Sequence, residues 1–227
     1  MKKVFLLFTF LFPVLLYSQT VPDFEAIDSL YREDQFYLGL TYNVLNNKPQ
    51  AASQNSFSTG ISFGFLRDFP VNKKRTVAIA PGLGFSFNNY KDNIVIKEAN
   101  GTISYSTLPT TDFDKNKLAL YFVDVPIEFR WRTSTYESHK FWRIYTGVKM
   151  SYLLASKSKF VSSTESFKVS NNPDINKFHY GAYVSVGYNT FNMYAYYGLN
   201  DIFRNGTLND KPLNLNTINI GLMFYML

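Results

Sequence analysis

YFVDVPIEFRWR, residues 121–132, separates two kinds of chemistry by parity. Tyr121, Val123, Val125, Ile127, Phe129 and Trp131 alternate with Phe122, Asp124, Pro126, Glu128, Arg130 and Arg132. A period of two is a β-strand with one apolar face. A soluble sheet hides that face in a core and turns the charges to water. A membrane barrel does the reverse, with lipid outside and a charged interior. The rest of the chain decides between the two.

Seven further segments keep the same period, at 36–44, 57–65, 77–87, 142–152, 178–188, 191–199 and 218–226. None of their apolar-phase positions holds a charged residue. Each run has about the 9–11 residues that a tilted strand needs to cross a bilayer. The opposite phase is a second test. All glycines except Gly101 and Gly206 fall in it, together with Asn43, Asp124, Glu128, Arg130, Arg143, Lys149, Asn192, Tyr194, Tyr196 and Asn219. Glycines mixed with charges and tyrosines suit the cramped interior of a narrow barrel, where small residues make room for long ones. Exposed on a soluble sandwich, those glycines would weaken the strands without return.

Bulk composition agrees. The chain of 227 residues is 18% aromatic, with 22 Phe and 17 Tyr, and 18% charged. It has no cysteine, which excludes a disulfide framework, a thiolate metal site and an acyl-cysteine anchor. The net charge is +6, and Lys2 and Lys3 sit in the leader, leaving 6 − 2 = +4. So small an excess without a basic cluster does not point to nucleic acid. The leader itself, residues 1–18, has a basic start and an apolar run too short to span a bilayer, and reads as a signal peptide. Residues 19–35 read as a periplasmic lead-in, and 36–227 as the barrel.

Connections between the apolar runs alternate long and short. Those after residues 44, 87, 152 and 199 are longer than those after 65, 131 and 188. Outer-membrane barrels pair short periplasmic turns with long outer loops. The expected fold is therefore an all-β, eight-stranded antiparallel up-and-down transmembrane β-barrel in the cell outer membrane, with both termini periplasmic. Trp131, Trp142, Tyr188 and Phe191 then form a periplasmic aromatic girdle, and Tyr121, Tyr152 and Phe178 an upper one. Pro81 and Pro126 lie in mid-strand, where a residue without an N–H predicts a bulge.

Asp124, Glu128 and Arg130 are expected to face Arg143 and Lys149 across neighbouring strands, as a lumen charge network that plugs the barrel. The turn RDFPVNKKR offers Arg67, Lys73, Lys74 and Arg75 against one carboxylate, Asp68, and is a candidate partner-binding surface. His139 and His179 are the only histidines and are too few to build a metal site. His179 and Ser185 share a phase, but six residues of one strand hold them apart. No enzyme, cofactor or metal is expected.

The phrases YREDQFYLGLTYN, GFLRDFPVNKKR, VDVPIEFRWRTST, KFWRIYTGV and INIGLMFYML resemble the PorT family of outer-membrane β-barrels from Bacteroidota. The resemblance implies a non-enzymatic accessory component of type IX protein secretion and gliding. The expected partners are outer-membrane lipids and lipopolysaccharide around the barrel, and the resemblance adds secretion-system proteins of the periplasm or outer membrane. The alternatives are a structural or adhesive surface barrel binding lipopolysaccharide or an external ligand, and a lipid-modifying enzyme. The chain departs from such barrels at its end, where Phe224 is followed by Tyr225, Met226 and Leu227 in place of a terminal aromatic.

Overall fold

The computed structural model describes residues 32–54, 56–133 and 141–226. The leader, nearly all of the lead-in, and His139 lie outside them. The described chain is all-β. Its principal strands are β1 (Gln35–Asn46), β2 (Thr59–Leu66), β3 (Val77–Tyr90), β4 (Lys115–Arg132), β5 (Trp142–Val161), β6 (Phe178–Tyr188), β7 (Phe191–Gly198) and β8 (Asn216–Met226). Every one of them pairs antiparallel with its sequence neighbours, and β8 returns to β1 from Phe36↔Met226 to Asn46↔Asn216, so the pairing runs in a ring.

Residues 67–76 and 189–190 connect strands at one end, the hairpin end, where β4 also ends at Arg132 and β5 begins at Trp142. The start of β1 and the end of β8 lie there too. The tightest of these turns joins Tyr188 to Phe191 through Asn189, whose φ of 55 is left-handed.

The opposite, loop end carries regular structure within the long connections, outside the eight period-two segments. A hairpin of Ile94–Ala99 and Thr102–Thr107 turns at Asn100 and Gly101, both at positive φ. Ser166–Ser170 adds a strand to the upper part of β5. A short hairpin pairs Thr207–Leu208 with Lys211–Pro212.

Two interior clusters fill the ring. At the loop end Leu45, Tyr90, Ile94, Ile96, Leu118, Leu120, Phe122, Ile202 and Leu213 belong to one apolar core. Toward the hairpin end Tyr37, Tyr145, Tyr183, Tyr194, Tyr196 and Tyr225 pack with Leu66, Ala80 and Met223. Glycine makes the second possible. Gly64 and Gly84 oppose each other on β2 and β3, and a Cβ on Gly84 would strike the Tyr37 hydroxyl.

The bulge expected at the prolines is absent. Pairing between β3 and β4 lapses after Pro81↔Ile127 and resumes at Gly84↔Asp124 in the same register. Proline removes a rung of the ladder but inserts no residue, so alternation runs on and Asp124 and Glu128 stay on one face. The register shift in β4–β5 sits higher, between Tyr121 and Phe122, where Tyr121 pairs with Ala155 and Phe122 with Leu153. The extra residue, Leu154, switches which parity of β5 faces outward.

Candidate functional site

The inward parity of β4 brings four charges to the interior: Asp124, Glu128, Arg130 and Arg132 are all buried. A charge taken from water needs close partners, and these have them. Arg130 donates from Nε to Glu128 Oε2 at 2.8 Å and from Nη1 to Asp68 Oδ1 at 3.0 Å. Arg132 grips both oxygens of Asp68, at 2.8 and 2.7 Å, in the bidentate geometry that guanidinium and carboxylate share. The hydroxyls of Tyr183 and Tyr225 donate to the other oxygen of Glu128, at 3.1 and 2.9 Å. Asp68, Glu128, Arg130 and Arg132 thus form one cluster that closes the hairpin end.

Asp68 is the residue that sequence reasoning misread. It belongs to the turn after β2, where the sequence reads as one carboxylate in a basic, partner-facing surface. The turn instead folds inward and buries it completely. Burial pushes its carboxyl up, but the hydrogen bonds and charges of Arg132 and Arg130 outweigh burial and hold it below its ordinary value. The signal was present: Arg130 and Arg132 share the inward parity at a strand end, and Glu128 alone leaves one of them without a counter-charge.

Lys149 on β5 approaches Asp124 at 3.8 Å and lies 4.5 Å from the Tyr196 ring centre, while Ser151 donates to Asp124 at 2.6 Å. Arg143 is buried and forms no ion pair with the described carboxylates Asp68, Asp124 and Glu128. Its guanidinium lies over the rings of Phe141 and Tyr225, at 4.4 and 5.9 Å, and no described group accepts from its Nε or Nη1. The five charges therefore divide: Glu128 and Arg130 join Asp68, Asp124 joins Lys149, and Arg143 sits on aromatic faces. The cavity left beside Asp124 and Glu128 is only about 20 Å³, room for about one water.

Trp131, Trp142, Tyr188 and Phe191 all stand on the outward face near the hairpin end and are exposed. Trp142 and Tyr188 meet edge to face, with ring centres 5.5 Å apart. Toward the loop end Tyr152 and Phe178 do the same at 5.1 Å, and Phe87 and Tyr121 at 5.6 Å.

Of the basic turn, Lys73 and Lys74 are exposed. Arg67 is within 3.6 Å of Asp34. Arg75, at φ 55, accepts the Arg132 Nε–H at its carbonyl, 3.1 Å away. The turn is therefore tied to the buried cluster at two points and presents only its two lysines freely.

His179 is buried with its Nε2 2.8 Å from the carbonyl of Asn176 and its ring against Phe122. Among the described residues no group of three or more histidines or carboxylates is placed to hold a metal ion.

The family model described as "Outer membrane protein beta-barrel domain" matches residues 17–204. No curated protein matches the chain. The crystal structure of Ail, the attachment invasion locus protein of Yersinia pestis, is similar over 86% of this chain and 99% of that one, at 15% identity and a TM-score of 0.43.

Proposed function

Because this chain belongs to the outer membrane protein beta-barrel domain family, we propose that its ring is an eight-stranded up-and-down transmembrane barrel that works by contact, as a non-enzymatic accessory of type IX protein secretion. Its place is the outer membrane. In the proposed orientation the hairpin end and both termini are periplasmic and the loop end is outside, as short and long connections divide in such barrels.

The observation that carries the reading is the filled interior. The buried Asp68–Arg130–Arg132 cluster occupies one end, tyrosines the middle, and an apolar core the other end. A cavity of about 20 Å³ passes no solute, far less a protein cargo. What is left to such a barrel is its surfaces, and Lys73 and Lys74 are a periplasmic surface of one sign that suits an acidic partner. The assignment to type IX secretion comes from the phrases shared with the PorT family.

The test is a gene deletion complemented by wild type or by Lys73→Ser/Lys74→Ser. Type IX cargo should stay inside the deletion strain, and the double variant should restore export only in part while inserting normally. Normal export by the deletion strain would end the secretion reading. Orientation is read separately: cysteines placed at Asn100 and Ser163 should label from outside intact cells.

A second reading, a surface barrel that binds glycolipid, is favoured by the lysines of the loop end.

A further inference from the structure

The same parity of β4 faces inward from Asn116 to Arg132, but the chemistry of its two faces exchanges along its length. Below Tyr121 its inward positions are charged and its outward ones apolar. Above it, Asn116, Leu118 and Leu120 turn inward and are buried, while Lys115 and Lys117 turn outward. The shift at Tyr121/Phe122 lets β5 follow suit: above it Ser156, Ser158 and Phe160 are buried, and Lys157 and Lys159 face out. Strict alternation along β5 through Leu154, without that shift, would point both lysines into the apolar core.

The result is a row of like charges. Lys117 pairs directly with Lys159, and Lys159 with Lys168 on the added strand. Like charges opposite one another on a sheet repel. Lys157 lies beside them with its ammonium 5.9 Å from the Tyr121 ring centre. Lys91 and Lys115 flank Lys117 on a cleft of about 600 Å³ that Asn89, Thr59, Asp92 and Asp114 also line. Burial, together with repulsion from Lys115 and Lys91, lowers the ammonium pKa of Lys117. None of these lysines is ion-paired with a described carboxylate; the lysines that are, Lys97 and Lys149, lie elsewhere. Just below the row, on the same outward face, come the rings of Phe87 and Tyr121, then Phe85 and Phe63.

We propose that this lysine row binds the phosphates of a phosphorylated glycolipid of the outer leaflet, with the acyl chains lying on the aromatic surface beneath it. The position decides the occupant. A site for a soluble anion needs no aromatic wall facing the membrane, whereas lipid phosphates stand at this height, one step above the apolar band, and supply the charge the row lacks. The proposal rests on the orientation given above, since only a loop end on the outer face meets that leaflet.

The experiment uses the full barrel refolded in phosphatidylcholine vesicles, alone or containing bisphosphorylated lipid A, dephosphorylated lipid A, or inorganic phosphate in solution. Capture is read by the lipid that co-purifies with the barrel and by the rise in its unfolding temperature. Bisphosphorylated lipid A should be captured and should stabilise, and the effect should fall as salt is added. The variant Lys117→Gln/Lys159→Gln/Lys168→Gln should bind roughly 100-fold more weakly, on the order of fivefold for each lysine near an anionic lipid surface. The same variant should keep its heat-modifiable folded band in phosphatidylcholine, because its lysines sit on the surface, and Lys73→Gln/Lys74→Gln should bind normally. Equal capture of dephosphorylated lipid A, undiminished capture by the triple variant, or equal binding of free phosphate would each overturn the proposal. The assay involves no secretion, so its failure leaves the secretion reading standing, and misplaced labelling at Asn100 would mark a failure of orientation instead.

Discussion

The two ends of this molecule fill the same ring of strands with opposite chemistry. At the hairpin end the interior is a cluster of ion pairs ringed by tyrosine hydroxyls, and the exterior is Val, Ile, Phe and Trp. At the loop end the interior is aliphatic and aromatic, and the exterior carries lysines. β4 passes from one regime to the other in a single strand. The difference teaches where the surrounding solvent changes. Within a bilayer lipid covers the outer face, so polar groups must go inside and satisfy one another. Above it water covers the outer face, and the strands revert to the ordinary arrangement with an apolar core. The girdle of Phe87, Tyr121, Tyr152 and Phe178 stands at the crossover.

The comparison can be broken most directly at Asp68. Asp68→Leu takes from Arg132 the carboxylate that it grips with two hydrogen bonds, and from Arg130 one of its two ion-pair partners, and removing one partner of a buried pair costs about 3–5 kcal/mol. Urea unfolding of the refolded barrel, followed by the heat-modifiable band on gels, should show a loss of that size. A loss no larger than the ~1 kcal/mol of an exposed ion pair would mean that the hairpin end is not a closed charged core.

A second variant pair sharpens the boundary between the regimes. Val125→Arg puts a cation on the outward face below the crossover, and should cost about 2–4 kcal/mol near the midplane of a bilayer. Val161→Arg puts one on the outward face above it, beside Lys115, and should stay within ~0.5 kcal/mol as a surface change. Equal costs in vesicles would erase the boundary.

The smallest effect expected is one of pH at the loop end. Asp92 lies on the connection above β3, and its Oδ1 accepts the backbone N–H of Ile94 at 2.8 Å. Burial pushes its carboxyl up to about 7 from an ordinary 3.8, against the opposing pull of the Ile94 N–H and the Lys48 charge. A raised folded-state value means that the stability is fully present below the ordinary value and is lost as pH rises through about 7. Hydrogen exchange in the hairpin Ile94–Thr107 should therefore loosen, beyond its intrinsic base catalysis, between about pH 4 and pH 8. Asp92→Asn keeps the acceptor and should flatten that dependence while leaving the hairpin end untouched. A parallel change in both regions would show that the two cores are not separable.

Parity alone exposed much of this molecule. Residues 121–132 sort into an apolar and a charged face whatever the chain does elsewhere, because a strand turns successive side chains to opposite sides. The glycines in the charged phase then marked the interior, and the unequal connections marked the two ends. The strand positions, the antiparallel order and the inward course of Asp124, Glu128 and Arg130 followed from those local patterns. The sequence could not show that Asp68 swings in from a turn to hold Arg130 and Arg132, because partners 62 and 64 residues apart are brought together only by closing the ring. Nor could it show that Arg143 prefers aromatic faces to Glu128, that the prolines interrupt pairing without a bulge, or that the single register shift lies at Tyr121/Phe122. Periodicity reports which way a side chain points relative to its own strand. The identity of what it meets is set by the register between strands and by the packing of loops, and those are properties of the whole fold.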